Sequence, residues 1–203
     1  MQVPEIESGK LPAEYYLGRD VVWLARDLLG KRLVTYIGGI RTSGIITETE
    51  AYSYREKGCH AYAKKQTQRN KVMFGEGGKA YVYLCYGIHE LFNIVTNLEH
   101  EPEAVLIRAI YPAEGLEEML LRRKKALFKP DTFAGPGKVS EALGITRKCT
   151  GLSLCGDTIW LEKGLEVDSS AIEFGPRIGI DYAGEDAGLP WRFQLKGDIN
   201  VLL

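Results

Sequence analysis

Residues 80–96 read AYVYLCYGIHELFNIVT, two β-forming runs rich in Val, Ile, Tyr and Phe that meet at Gly87. A chain that reverses over so short a stretch commits itself to antiparallel pairing. Residues 31–37 and 44–52 are predicted as further strands, divided by the turn residues Gly38, Gly39, Thr42 and Ser43. Residues 104–110 form another apolar run, and 159–161, 171–178 and 191–195 read as short strands separated by Gly and Pro. Helices interrupt these strands unevenly. Asp20 is placed to cap a helix through Leu29 that Gly30 ends, and Leu116, Met119, Leu120, Arg123 and Leu127 share a helical spacing after Pro112. Gly135 opens a third helix that runs through Leu143 and stops at Gly144. Such an order predicts an α+β fold rather than a βαβ array. The 203 residues are expected to form one domain over 1–203.

Residues 53–78 are polar, rich in Lys, Gln and Gly, and lack either period. Loops of this length usually carry function or are disordered. The net charge of −1 hides an asymmetry, with +4 on residues 1–150 and −5 on residues 151–203. The basic excess forms two clusters, Lys64, Lys65, Arg69 and Lys71, then residues 122–125 with Lys129. No window approaches the roughly 20 apolar residues of a membrane span, and residues 1–16 lack a basic start followed by an apolar stretch. The expectation is a non-secreted, cytoplasmic or nuclear protein with no membrane partner. Four cysteines without a C-x-x-C pair, and three histidines, give no zinc-ligand spacing, so no metal is expected.

Chemistry concentrates in four places. On the strand Glu48-Thr49-Glu50-Ala51-Tyr52, side chains two apart share a face, so Glu50 can act as a general base for water beside Tyr52. Ordinary alternation on a half-buried strand explains the same pattern. Arg108 interrupts the apolar run VLIRAI, where an unpaired charge is costly, and Glu50 or Glu48 is the natural partner; a solvent-facing arginine on an edge strand is the alternative. Tyr86, next to the turn glycine, suits a wedge that holds open the gap left by an extruded base, or else folds back onto its own sheet. Gly135-Pro136-Gly137-Lys138 offers helix N-terminal amides and a lysine to a phosphate, without the spacing of a P-loop. Arg69, Asn70, Lys64 and Lys65 are further candidates for backbone contacts.

Together these stretches resemble the alkyladenine (3-methyladenine) DNA glycosylase family. The resemblance rests on LARDLLGKRLV from Leu24, ITETEAY ending at Tyr52, His60, QTQRNKVMF from Gln66, YVYLCYG ending at Gly87, Asn93, VLIRA around Arg108, GPGK from Gly135, RIGIDYAGE from Arg177, and WRF from Trp191. These recur in the family's order over nearly the whole chain, with one residue fewer between Tyr52 and His60. The resemblance implies a single mixed domain with a curved antiparallel sheet, flanking helices and a protruding hairpin that intercalates into DNA. It implies Glu50 as general base, with Arg108 and the main chain at Ile178 helping to hold the water. Tyr52, His60 and Tyr83 become walls of a base pocket, Asn93 a screen on which purines fit, Tyr86 the intercalating residue, and Lys138 a phosphate contact. The activity implied is monofunctional hydrolytic excision of alkylated or deaminated purines, of the 3-methyladenine, 7-methylguanine, hypoxanthine and ethenoadenine class, from double-stranded DNA by a monomer without cofactor. Two other readings stay open: a carbohydrate glycosidase using Glu48 and Glu50 as its carboxylate pair, and a non-catalytic nucleic-acid-binding module.

Overall fold

The computed structural model describes residues 9–197; parts of the expected domain 1–203, including its first eight residues, lie outside the described range. An open antiparallel sheet runs through the described residues. Its strands are β1 (Arg32–Ile37), β2 (Ile40–Ser53), β3 (Lys79–Cys85), β4 (His89–Thr96), β5 (Glu103–Glu114), β6 (Ile159–Glu162), β7 (Ile172–Gly175) and β8 (Arg192–Leu195). The spatial order is β3-β4-β5-β2-β1-β6, and β8 pairs with β2 and carries β7 on its other edge. Because β2 is long, its first half pairs with β1 and residues 48–50 pair with β8.

Among the described residues three α-helices cover one face: α1 (Val21–Asp27), α2 (Leu116–Arg122) and α3 (Pro136–Leu143). The Asp20 carboxylate caps α1 by accepting from Val22 N and Trp23 N at 3.0 and 2.9 Å. Gly144 ends α3 at φ +70°, a conformation open to glycine without a Cβ clash. Against the sheet, α1 meets β2 and β5 while α3 meets β4 and β5. Leu24, Leu28, Phe92, Ile94, Val105, Ile107, Val139 and Leu143 join one buried cluster between them. Residues 54–78 lie over the opposite face, where Cys59, Ala61 and Met73 pack against Tyr81, Val95 and Ala104. The segment expected to be a plain loop is therefore a cover, partly organised as short 3-10 turns at Tyr62–Lys64 and Lys71–Phe74.

Two irregularities in the β2–β5 ladder decide what faces this second side. Ile46 pairs with Ile110, Glu48 with Ala109 and Thr49 with Ile107, so Thr47 is an extra residue in β2 and Arg108 an extra residue in β5. Ile46 and Ala51 belong to the helix-side cluster, as do Ile107 and Ile110. A strict alternation of two would set the members of each pair on opposite faces, and the extra residue restores them to one face. Beyond the bulges, Glu50 and Tyr52 of β2 and Ala104, Leu106 and Arg108 of β5 turn to the second face.

Some expectations are corrected in detail. Thr42 and Ser43 lie inside β2, their hydroxyls bonded to Thr35 at 2.8 Å and to Glu114 at 3.0 Å, rather than in a turn. The helix after Pro112 stops at Arg122, leaving Leu127 74% exposed beyond it. The strand expected over 171–178 shortens to β7, after which the chain leaves the sheet toward the cleft.

Candidate active site

The second face opens into a cleft of about 680 Å³ whose walls include Tyr52, His60, Tyr83, Asn93, Arg108 and Ile178. Below its floor, Glu50 is fully buried. Its Oε2 accepts from the Tyr52 hydroxyl at 2.7 Å and its Oε1 from Ile178 N at 2.8 Å. Arg108 Nη1 stands 3.3 Å from the same Oε1. A carboxylate has about four lone-pair directions, so these partners leave it acceptor capacity. Burial raises the Glu50 pKa, while Arg108, the Ile178 N–H and the Tyr52 hydroxyl pull it down. The net rise makes the carboxylate a stronger proton acceptor than an exposed glutamate.

Arg108 links the two acidic residues of β2. Its Nε donates to Glu48 Oε1 at 3.0 Å, and Arg192 Nη1 donates to the same oxygen at 3.1 Å. The bulge that turns the Arg108 side chain to the cleft also frees its carbonyl from β2, and Gly135 N donates to that carbonyl at 2.7 Å. The start of α3 is thereby fixed beside the cleft, where Gly135, Gly137 and Lys138 contribute to the rim. Lys138 Nζ donates to the Asp131 carbonyl at 2.9 Å.

The aromatic wall is ordered by its own hydrogen bonds. Arg69 Nη2 lies 3.3 Å from His60 Nε2, and His60 Nδ1 lies 2.9 Å from the Tyr81 hydroxyl. Since a guanidinium only donates, Nε2 accepts and Nδ1 carries the proton toward Tyr81. Burial, and then the Arg69 charge, push His60 down to about 4, which keeps the ring neutral near pH 7. His60 meets Tyr83 edge to face, with centroids 4.5 Å apart. Asn93 is buried and its Nδ2 donates to the Tyr81 and Leu91 carbonyls, both at 3.2 Å, while Oδ1 accepts no bond from the described residues. Arg69, expected to lie along the DNA backbone, reaches over the Tyr83 ring at 4.9 Å and lines the cleft.

Tyr86 stands at the rim. It is 86% exposed and begins the three-residue turn, 86–88, between β3 and β4, in which Tyr86 and Gly87 have positive φ, +49° and +73°. Such a backbone is unfavourable for tyrosine by about 1–3 kcal/mol. The alternative of a ring folded onto its own sheet is not what the structure shows.

Sequence reasoning missed a buried ion pair behind this wall. Arg177 Nη1 and Nη2 donate to Glu56 Oε1 and Oε2 at 2.7 and 2.8 Å, and the same guanidinium donates to the Ala51 and Asp186 carbonyls. It also lies 4.8 Å from the Tyr52 ring and 5.2 Å from the Trp191 ring. Arg177 thus braces Tyr52 and precedes Ile178, the two residues that donate to Glu50. It opens the RIGIDYAGE stretch, as Tyr81 opens YVYLCYG, which was a signal of a kind, whereas nothing in the sequence marked Glu56.

Among the described residues no cluster of three or more His, Cys, Asp or Glu is arranged to hold a metal ion, and no helix is long and apolar enough to cross a membrane.

A buried, donor-held carboxylate lies under an aromatic cleft on one face of an antiparallel sheet with a projecting hairpin, an arrangement able to activate water beside a planar ring. The model of the methylpurine-DNA glycosylase family matches residues 15–199. The chain belongs to this family and is a DNA glycosylase, a hydrolase of the N-glycosyl bond. It is 51% identical over 188 residues to a Chlamydia abortus protein provisionally named 3-methyladenine DNA glycosylase, covering 91% of this chain and 97% of that one. A Chlamydia felis protein of the same provisional name is 48% identical, covering 92% and 96%. One from Bacillus cereus strain G9842 is 46% identical over 197 residues, covering 92% and 95%.

Proposed function

We propose that this glycosylase releases alkylated purines, 3-methyladenine and 7-methylguanine, together with hypoxanthine and ethenoadenine, from duplex DNA, acting as a monomer by a monofunctional hydrolytic route. The observation that carries the reading is Glu50, buried beneath an aromatic cleft, with acceptor capacity left after Tyr52 and Ile178 have donated to it and Arg108 has paired with it as an ion. In the reaction Glu50 takes a proton from a water as that water attacks C1′ of the extruded nucleotide, and the glycosidic electron pair leaves with the base. Arg108 and the main chain at Ile178 orient the carboxylate and the water. Tyr52, His60 and Tyr83 hold the ring, and Asn93 Oδ1 offers an acceptor that tests the edge of each purine. Lys138, the one lysine among the described residues lining the cleft, serves the DNA backbone rather than forming an imine, so the strand is left intact. Glu48 is held by Arg108 and Arg192, which argues against a carboxylate pair shared with Glu50.

Incubating the purified protein with duplexes that each carry one of the four lesions, and measuring free base, tests the reading. Release of none of them would end it. Strand breaks accumulating without alkali or heat would instead remove the monofunctional step.

Tyr86→Ser is expected to lower excision strongly for a lesion in a stable base pair and little for the same lesion in single-stranded DNA. Unstacking costs a few kcal/mol, which the wedge offsets only where there is pairing to break. Single-turnover rates on the two substrates check this, and an equal loss on both would assign Tyr86 to the fold instead. Lys138→Ala is expected to flatten the plot of log K against log salt by about one unit, the share of one phosphate contact. An unchanged slope in a binding titration would remove Lys138 from the DNA path.

A further inference from the structure

Arg69 occupies a position that its expected role on the backbone does not explain. The neighbouring Asn70 is buried, and its side chain donates to the His60 and Lys65 carbonyls at 2.8 and 3.0 Å while accepting from Thr67 N at 2.7 Å. This clamp ties residues 65–70 to the main chain of His60 and sends the Arg69 side chain across the cleft mouth. Its guanidinium sits 4.9 Å over the Tyr83 ring and donates to His60 Nε2 at 3.3 Å.

The charge balance there is uneven. Glu50 and Glu48 are already engaged by Arg108, and Arg192 adds a second cation at Glu48. Among the described residues no carboxylate lies within ion-pair distance of Arg69. A ring face such as that of Tyr83 attracts a cation within about 6 Å of its centroid. The protein's own cation holds that seat.

We propose that Arg69 is a specificity-determining residue, a charge filter that weights the cleft toward neutral damaged purines over permanently cationic ones. A neutral base displaces or slides beneath the guanidinium without charge repulsion. A cationic base meets a like charge at roughly contact distance and must compete for the same aromatic face. The proposal rests on the excision of damaged purines proposed above.

The test compares kcat/KM for 7-methylguanine, a cation, with kcat/KM for hypoxanthine, a neutral base, in otherwise identical duplexes. Arg69→Gln keeps a donor for His60 and removes the charge, and Arg69→Lys keeps the charge. At a half-exposed site, two unit charges about 5 Å apart correspond to a ratio shift of about five- to thirtyfold. Arg69→Gln is therefore expected to raise the 7-methylguanine to hypoxanthine ratio by that factor, chiefly through KM, with Arg69→Lys within about twofold of the unsubstituted protein. An unchanged ratio in Arg69→Gln, or equal losses on both substrates with a flatter salt dependence, overturns the filter and returns Arg69 to a phosphate contact. Release of neither base by the unsubstituted protein overturns the excision reading and the filter with it.

Discussion

Glu50→Gln is expected to reduce single-turnover base release by about 10²–10⁴-fold while leaving affinity for damaged duplex within a few fold. The amide keeps the shape of the side chain beneath the cleft and loses the proton acceptor. The pH dependence carries a second, independent statement. In the proposed mechanism excision needs the carboxylate ionised, and burial outweighs Arg108 and the hydrogen bonds to raise its pKa. Activity should then fall on acidification through a limb lying above the ordinary glutamate value of 4.5. His60, held near 4, does not produce that limb. A rate profile across the acid range, corrected for spontaneous depurination, checks both parts. Retained turnover in the variant, or a limb below the ordinary glutamate value, would reject Glu50 as the base.

Glu56→Ala is expected to cost about 3–5 kcal/mol of folding stability, because it leaves the Arg177 guanidinium buried without its carboxylate. Both side chains of the pair are almost fully enclosed. An exposed pair provides the contrast: Lys64 Nζ and Glu101 Oε1 are 2.7 Å apart, yet Lys64→Ala should leave the denaturation midpoint almost unchanged, because solvent screens the pair. Denaturant midpoints of the two variants, at equal m-value, separate the cases. Similar losses from both would mean that Glu56–Arg177 is solvated in a way its burial does not indicate. Below full unfolding, the Glu56 variant should also lose excision, since Arg177 stands against Tyr52 and next to Ile178.

The parts that local chemistry dictates could be read from the chain. Asp20 before an apolar stripe, Gly144 after one, and two β-forming runs meeting at Gly87 each act within a few residues, and each element is present. That Arg108 would meet Glu50 or Glu48 was legible because a charge inside VLIRAI demanded an answer from across the sheet, and it meets both. Distance hid the rest. Glu56 and Arg177 are 121 residues apart and neither looks anomalous alone. Residues 53–78 carry no period because they follow the surface they cover, so the burial of Cys59, Ala61 and Met73 had no local signal. Thr42 and Ser43 resemble a turn until partners from neighbouring strands, Thr35 and Glu114, satisfy their hydroxyls within β2.

The paired bulges at Thr47 and Arg108 make the site a matter of parity as much as of residue type. Deleting Thr47 would shift the phase of everything that precedes it against everything that follows, and one of the two halves of β2 would have to present its wrong face. Either Ile46 and its neighbours leave the core or Glu50 and Tyr52 leave the cleft. A change that removes no catalytic group would thus be as damaging as one that does. In chain length, then, this enzyme has a forbidden zone only a few residues wide. A shortened or extended descendant is expected to carry its length changes in surface turns such as Gly38-Gly39, and an engineer grafting the cleft onto another sheet would have to transplant both extra residues together.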